Sequence, residues 1–525
     1  MTIWTPSVAV DPEAALQPST LALHELGRRL AWTPEAAWEW IARLQEGSIT
    51  TRPTPRALGV VATPAPIAAR MSRALLAGVP RGATVSVLDA GCGDARLLAA
   101  VVREASRCGL RVAGSGIEIE PATARWAQAL APLAHAGAPD TLAGWRIHRQ
   151  DFLLGGIEDT FDAVIANPPY VPWRALDAVT RGRLRSRFAS APGDLAGLFV
   201  ERMLDVLRPD GRLCVIVPNK LLATRYAATL RARLARETTI EQIWDLSTLR
   251  VFPGHASYPV VIVARRRPAR PGDTIRIVDA AGDVRARWLQ AALGALPDTI
   301  VPLALQPELG ELALRLLAGP RLGEAIRVRC GIASSGFGRA VGIGTDRILR
   351  SGDVRPFHLR SAARFAPRRA GLAESALLRM RCPKVVVPGM FRRLAAAYDG
   401  AGRLLGRVYY LPVEGRTPAE REARRALLLA LLNSRLYALL YTGLFGAVAQ
   451  SGGYTRLNAP YLECLPWPER APDPDLVARA AECENQPHDA VARGRLDRAV
   501  EDLFRLSKEE RRLLDRLACD LPTGW

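Results

Sequence analysis

The stretch Asp162 to Trp173, D-A-V-I-A-N-P-P-Y-V-P-W, sets an amide, two prolines and an aromatic ring directly after an apolar run. Two successive prolines lack N–H groups and cannot continue a ladder, so a strand must stop there and leave rigid carbonyls beside Asn167. An exocyclic amine conjugated to an aromatic ring is a poor nucleophile, because its lone pair is delocalised into the ring. If the Asn167 side-chain oxygen and the Pro168 carbonyl each accept one amino hydrogen, the nitrogen is drawn towards a pyramidal form and its lone pair localises. Pro168 and Pro169 hold that turn rigid, and the face of Tyr170 can stack on the base bearing the amine. Such stacking is worth about 1–3 kcal/mol per base, comparable to the few kcal/mol needed to take a base out of a duplex. A surface turn would account for the amide and prolines, but not for the whole tetrapeptide at the edge of a sheet.

A second group of residues lies upstream. V-L-D-A-G-C-G-D-A-R-L-L (87–98) reads as strand, glycine turn and helix, with Asp89, Ala90, Gly91, Cys92 and Gly93 at the turn. Glycines there let backbone approach a ligand at the helix N-terminus. The spacing is neither G-x-G-x-x-G nor G-x-x-x-x-G-K-[ST], which disfavours dinucleotides and nucleoside triphosphates. The next strand ends in G-I-E-I-E-P, putting Glu118 where a carboxylate can accept both hydroxyls of a ribose. Glu120 is either a partner in that role or a solvated charge. Asp151, in R-Q-D-F-L-L, fits either a helix N-cap or an acceptor for an adenine amino group.

The elements that must position these residues alternate. Apolar segments at 85–90, 112–119, 162–167, 212–218 and 260–264 are separated by helical stretches, the pattern of a parallel, doubly wound α/β sheet whose ligands sit at the carboxyl ends of its strands. The alternation defines a catalytic domain over 56–267. Before it, 1–55 is a helical segment in which Thr33-Pro34-Glu35 signals a helix start and Trp38, Ile41 and Leu44 share a face. R-R-R-P-A-R-P-G-D (265–273) reads as a linker, 268–470 as an irregular α+β domain, and 471–525 as a charged amphipathic helical tail.

Composition narrows the partners. The 525 residues carry a net charge of +19, which points to a polyanion, most simply nucleic acid. Only Lys220, Lys384 and Lys508 are lysines, and the preference for arginine suits phosphate recognition as well as it suits a GC-rich genome. The eight cysteines are scattered singly, without zinc-ligand spacing, which implies a reducing cytoplasm and no metal. The N-terminus has no secretory pattern, and the longest apolar run, Ala426 to Leu432, falls well short of the roughly 20 residues of a membrane span.

Taken in order, V-L-D-A-G-C-G, G-I-E-I-E-P, D-F-L-L and N-P-P-Y resemble the S-adenosylmethionine-dependent amino-methyltransferases of DNA, particularly the gamma class typified by the TaqI-like adenine-N6 enzymes. The resemblance covers about 60–465. It implies a class I methyltransferase sheet of Rossmann-like form, a C-terminal target-recognition domain, S-adenosylmethionine as methyl donor, and a flipped adenine in duplex DNA as substrate. A-T-P-A-P-I-A-A-R-M (62–71) resembles the family's segment before the glycine loop, giving Thr63 a place beside the cosubstrate. V-F-P-G-H-A-S-Y-P-V-V-I-V (251–263) resembles the segment whose aromatic supports the flipped base, a role that falls to Phe252. The same resemblance puts Asp89, Ala90, Gly91, Cys92, Gly93, Glu118, Asp151 and Asn167 around the cosubstrate. It also implies a restriction-modification or related defence setting with a separate partner subunit.

Other chemistries fit less well. Cytosine-C5 methylation needs a nucleophilic cysteine in a Pro-Cys pair, and the chain has none. Cytosine-N4 methylation shares the amine chemistry and stays open, as do RNA and a protein glutamine as substrates, since N-P-P-Y also occurs in release-factor glutamine methyltransferases. A nuclease of the Asp…Glu-x-Lys type is excluded, because Pro218, Cys382 and Leu506 stand two residues before the lysines.

Overall fold

The computed structural model describes Glu39, Ile41 and residues 61–521, apart from 189–192, 250, 253–257, 333–336, 361, 447–453 and 520. The chain divides into two compact units, Met1–Ala291 and Ala292–Trp525.

In the first unit nine strands form one sheet: β1 (Thr84–Ala90), β2 (Arg111–Glu118), β3 (Leu142–Arg149), β4 (Phe161–Ala166), β5 (Leu207–Pro218), β6 (Thr239–Asp245), β7 (Pro259–Arg265), β8 (Thr274–Val278) and β9 (Val284–Leu289). Their order is β3-β2-β1-β4-β5-β7-β6-β8-β9. The first five pair in parallel, in keeping with the doubly wound reading. β7 does not: it runs antiparallel between β5 and β6. An apolar run, V-V-I-V-A, reports burial on both faces and carries no direction, so its orientation could not be read from the sequence.

The helices that matter here are α1 (Ala65–Leu76), α2 (Arg96–Cys108), α3 (Pro121–Ala129), α4 (Ala178–Arg187) and α5 (Leu195–Val206). α2 buries Leu97, Leu98, Val101, Val102 and Ala105 on one face and ends on Gly109, whose positive φ lets its N–H cap the last turn. Ile41, on the N-terminal face picked out above, lies in the same apolar core; Trp38 and Leu44 fall outside the described residues.

The stretch 265–273 is no interdomain linker. β8 and β9 continue the same sheet beyond it, and Asp273 closes the turn by accepting from the Arg270 N–H at 2.8 Å and pairing with Arg267 at 3.1 Å. The first unit therefore runs past residue 267.

The second unit is α+β. Four short antiparallel strands lie in the order Arg329–Cys330, Val408–Pro412, Lys384–Pro388, Ala397–Asp399. At their centre Lys384 is fully buried, donating to Asp399 at 2.7 Å and to the carbonyls of Met380 and Cys382. The C-terminal helices are part of this unit. Pro474–Asn485 and Ala490–Leu503 pack on the apolar pair Pro418–Asn433 and Arg435–Phe445, and Arg435 is bonded to Glu501, Asp497 and Asp515. Among the described residues no single helix is long and apolar enough to cross a membrane; only that bent apolar pair meets the composition jointly, and it is largely buried.

Candidate active site

Strand order reverses between β1 and β4, so the crevice beyond their carboxyl ends is where a ligand can enter. Asp89 and Ala90 end β1, Glu118 ends β2, and Asn167 follows β4. The sheet thus brings together residues far apart in sequence.

The glycine turn wraps the end of β1. Gly91 (φ +73°) and Gly93 (φ +55°) take conformations that side-chain-bearing residues rarely adopt, and a Cβ on Gly91 would stand 3.2 Å from the Phe199 ring. The Cys92 N–H is pinned to the Ile117 carbonyl at 2.8 Å. Burial, with Asp89 and Glu118 nearby, pushes the Cys92 thiol well up, away from the thiolate form. Glu118 draws the turn to β2: its Oε2 accepts from the Gly93 N–H at 3.0 Å and its Oε1 from the Glu120 N–H at 2.9 Å.

Glu120 resolves into a structural residue, because it caps α3 by accepting from the N–H groups of Ala122 and Thr123. Between the two acids, Ile119 is 62% exposed. Sequence reading passed over it, although it shares the parity of buried Ile117: β2 stops at Glu118, so Ile119 leaves the core and presents an apolar side chain beside the Glu118 carboxylate. Asp151 does not cap a helix. Its Oδ1 takes the N–H groups of Leu153 (2.8 Å) and Leu154 (3.2 Å) in a turn, leaving Oδ2 for another donor.

Asp89 is the least satisfied of these groups. It is 1% exposed, and among the described residues its carboxylate has no cationic partner and only the Leu98 N–H for support. Burial pushes its pKa well up; the backbone N–H of Leu98 offsets this in part, while Asp94 and Glu118 add to it.

Asn167 is half-buried and fixed in orientation. Its Nδ2 donates to the Val61 carbonyl at 2.8 Å and to the Thr63 hydroxyl at 3.1 Å. Both donor hydrogens are therefore spent, and Oδ1 remains an acceptor; the assignment of nitrogen and oxygen follows from this network. Thr63 is buried, and Arg96 of α2, paired with Asp94, also reaches its carbonyl. Val61 carries no motif that would mark this role in the sequence.

Pro168 is buried and Pro169 half-buried. The Tyr170 ring meets Phe252 edge-on, with centroids 6.1 Å apart and planes at 78°. Phe252 is itself buried, so here it buttresses Tyr170 from the core. Behind the tetrapeptide stands a network with no sequence signature: buried Asp194 binds Lys220 at 2.9 Å and the Tyr226 hydroxyl at 3.1 Å. Burial, reinforced by Asp194, raises the Tyr170 phenol far above its ordinary range.

These residues fit a cosubstrate that carries a cation and an adenosine. Asp89 lacks a positive partner, Glu118 stands at a strand end with carboxylate oxygens suited to hydroxyls, Ile119 offers an apolar face, and Asp151 has a spare acceptor. Residues 126–252 match the family model described as Eco57I restriction-modification methylase. That stretch, about a quarter of the chain, is similar to a restriction-modification methylase. Over 132 residues the chain is 36% identical to Type II methyltransferase M.XhoI of Xanthomonas vasicola, an alignment that spans 25% of this chain and only 24% of that protein. It is also 28% identical over 194 residues to a release factor glutamine methyltransferase of Caulobacter vibrioides, covering 36% of this chain and 63% of that one. The structure resembles that of the Type IIL restriction-modification enzyme MmeI in complex with DNA (TM-score 0.55, 14% identity, 85% of this chain and 72% of that chain), a likeness of fold.

Proposed function

We propose that the protein is a site-specific DNA methyltransferase that modifies adenine N6 on a base flipped out of the duplex. The observation that carries this reading is the orientation of Asn167. With Nδ2 committed to Val61 and Thr63, Oδ1 and the Pro168 carbonyl form a pair of acceptors for the two hydrogens of an aromatic amine. An amine so held has its lone pair directed out of the ring, and the sulfonium methyl of bound S-adenosylmethionine supplies the electrophile for direct transfer. Tyr170, backed by Phe252, stacks on the extruded base. Asp89 receives the cosubstrate's ammonium, Glu118 its ribose hydroxyls and Asp151 its adenine amino group, with Ala90, Gly91, Cys92 and Gly93 forming the backbone cradle. The second unit serves as the target-recognition domain. The positive charge favours nucleic acid over a protein glutamine, and a restriction or related defence system, with its own partner subunit, is the natural setting.

Two expected results follow from the geometry. Tyr170→Ala should impair capture of the base far more than cosubstrate binding, and a duplex carrying a mismatched, easily flipped adenine should partly restore its rate. Absence of any rescue in steady-state assays would remove the stacking role. Thr63→Val keeps the shape but deletes an acceptor, so the Asn167 amide is held by Val61 alone and samples the reversed orientation. We expect a fall in kcat of about fivefold, in line with roughly 1 kcal/mol for one hydrogen bond, with the dissociation constant for S-adenosylmethionine little changed. Thr63→Ser should stay near wild type. If Thr63→Val instead weakens cosubstrate binding and spares kcat, Thr63 is a cosubstrate contact.

A further inference from the structure

Immediately after Tyr170 the chain leaves the sheet and returns to the same place. The Trp173 N–H donates to the Gly193 carbonyl and the Leu195 N–H to the Val171 carbonyl, each at 3.0 Å, with a bridge between Pro172 and Asp194. This stem, fixed by the Asp194–Lys220–Tyr226 network, holds an excursion whose main element is α4, A-V-T-R-G-R-L-R-S-R. Leu184 and the following Phe188 anchor it by burial. Its described surface carries a cluster of basic side chains: Arg174, Arg183, Arg185 and Arg187 are exposed and Arg181 half-buried, with Val179 exposed among them.

Three features set this patch apart from an ordinary solvated face. Among the described residues no carboxylate pairs with Arg174, Arg181, Arg183 or Arg185, although arginines elsewhere in the chain commonly form such pairs. The one acid of the segment, Asp177, is engaged as the helix cap, accepting from the Thr180 N–H at 2.8 Å and from its hydroxyl. Arg181 and Arg185, and likewise Arg183 and Arg187, stand four residues apart on α4, so like charges face each other and destabilise the free helix. A polyanion laid across it relieves that repulsion. Two further contacts fix the patch: Arg185 lies over the Trp173 ring at 5.4 Å, and Arg187 is tied to the Leu154 carbonyl at 3.0 Å.

We propose that this excursion is the surface that grips the phosphates of the DNA strand carrying the target base, next to the point where the base leaves the stack. The proposal rests on the DNA reading above and places a phosphate contact within the catalytic unit itself, through Arg174, Arg181, Arg183 and Arg185. Arginine forks suit this, since each can present two N–H donors to one phosphate.

The test is the salt dependence of duplex binding by the full chain, wild type against Arg174→Gln/Arg181→Gln/Arg183→Gln/Arg185→Gln. Each lost phosphate contact lowers the slope of log affinity against log salt by about 0.9. The variant should therefore lose about 2–4 in slope and bind at least about 10²-fold more weakly at low salt, with its affinity for S-adenosylmethionine and its melting temperature maintained. The two half-variants, 174/181 and 183/185, should each show part of the loss, which covers the case in which the quadruple variant fails to fold. If wild type methylates DNA and the variants keep its slope and affinity, the surface is overturned and the function stands. Loss of binding to RNA or to an acidic protein with duplex binding intact likewise overturns it. If wild type neither binds nor methylates DNA, the functional reading itself falls.

Discussion

Replacing Asn167 by alanine should reduce single-turnover methyl transfer by about 10²–10³-fold or more, the scale seen when one preorganised hydrogen-bonding group is removed from a reacting centre. S-adenosylmethionine should still bind with nearly wild-type affinity by calorimetry, because the Asn167 side chain spends its donors on Val61 and Thr63 and offers only an oxygen to the crevice. Asn167→Asp sharpens the test. It retains acceptor oxygens but sets one of them against the Val61 carbonyl, where the amide nitrogen now sits. Intermediate activity is expected, with the geometry disturbed and the acceptor kept. Loss of cosubstrate binding together with turnover in a folded Asn167→Ala protein would mean that Asn167 belongs to the cosubstrate pocket.

Asp89→Asn should produce the second large effect, with opposite signs in binding and stability. A buried carboxylate without a cationic partner destabilises the ligand-free protein, and a cationic group from the cosubstrate relieves it. A charge-assisted hydrogen bond contributes about 1.5–3 kcal/mol, so the substitution should weaken S-adenosylmethionine binding by about 10- to 100-fold. It should also raise the melting temperature of the unliganded protein. The pH dependence follows from the raised pKa. In the unfolded chain Asp89 ionises near 3.8, whereas in the folded chain burial holds its proton to much higher pH. Over that window the folded state binds more protons than the unfolded one, so this residue's contribution to stability falls as pH rises. Denaturation curves at about pH 5 and pH 8 should show a decline in wild type that Asp89→Asn reduces. Lower stability with unchanged cosubstrate affinity would make Asp89 a structural residue.

Much of the site was legible because its parts are local. A strand that stops on two prolines, a glycine turn leading into a helix and an acid at the end of the next strand are all written in short stretches, and a sheet whose strand order reverses between β1 and β4 gathers them. What escaped the sequence is non-local. The partner that orients Asn167 lies 106 residues earlier in the chain, and no spacing rule connects the two. Strand direction was equally hidden: β7 looks like any buried strand, yet it inserts antiparallel between β5 and β6. The arginine- and proline-rich stretch 265–273 has the composition of a linker, but Asp273 gathers its basic groups into a tight turn between two strands of one sheet. The charged C-terminal stretch reads as a separate helical tail for a similar reason. Its acids are matched to Arg435 and Arg498 within the second unit, where they help hold the helices together.

The most direct test of the central claim is methyl transfer from labelled S-adenosylmethionine to unmethylated genomic DNA, with Asn167→Ala as control and the modified bases mapped by single-molecule sequencing. The account predicts N6-methyladenine within one recurring motif and no modification by the variant. Transfer to RNA or to a protein fraction with none to DNA, or N4-methylcytosine as the DNA product, would contradict it.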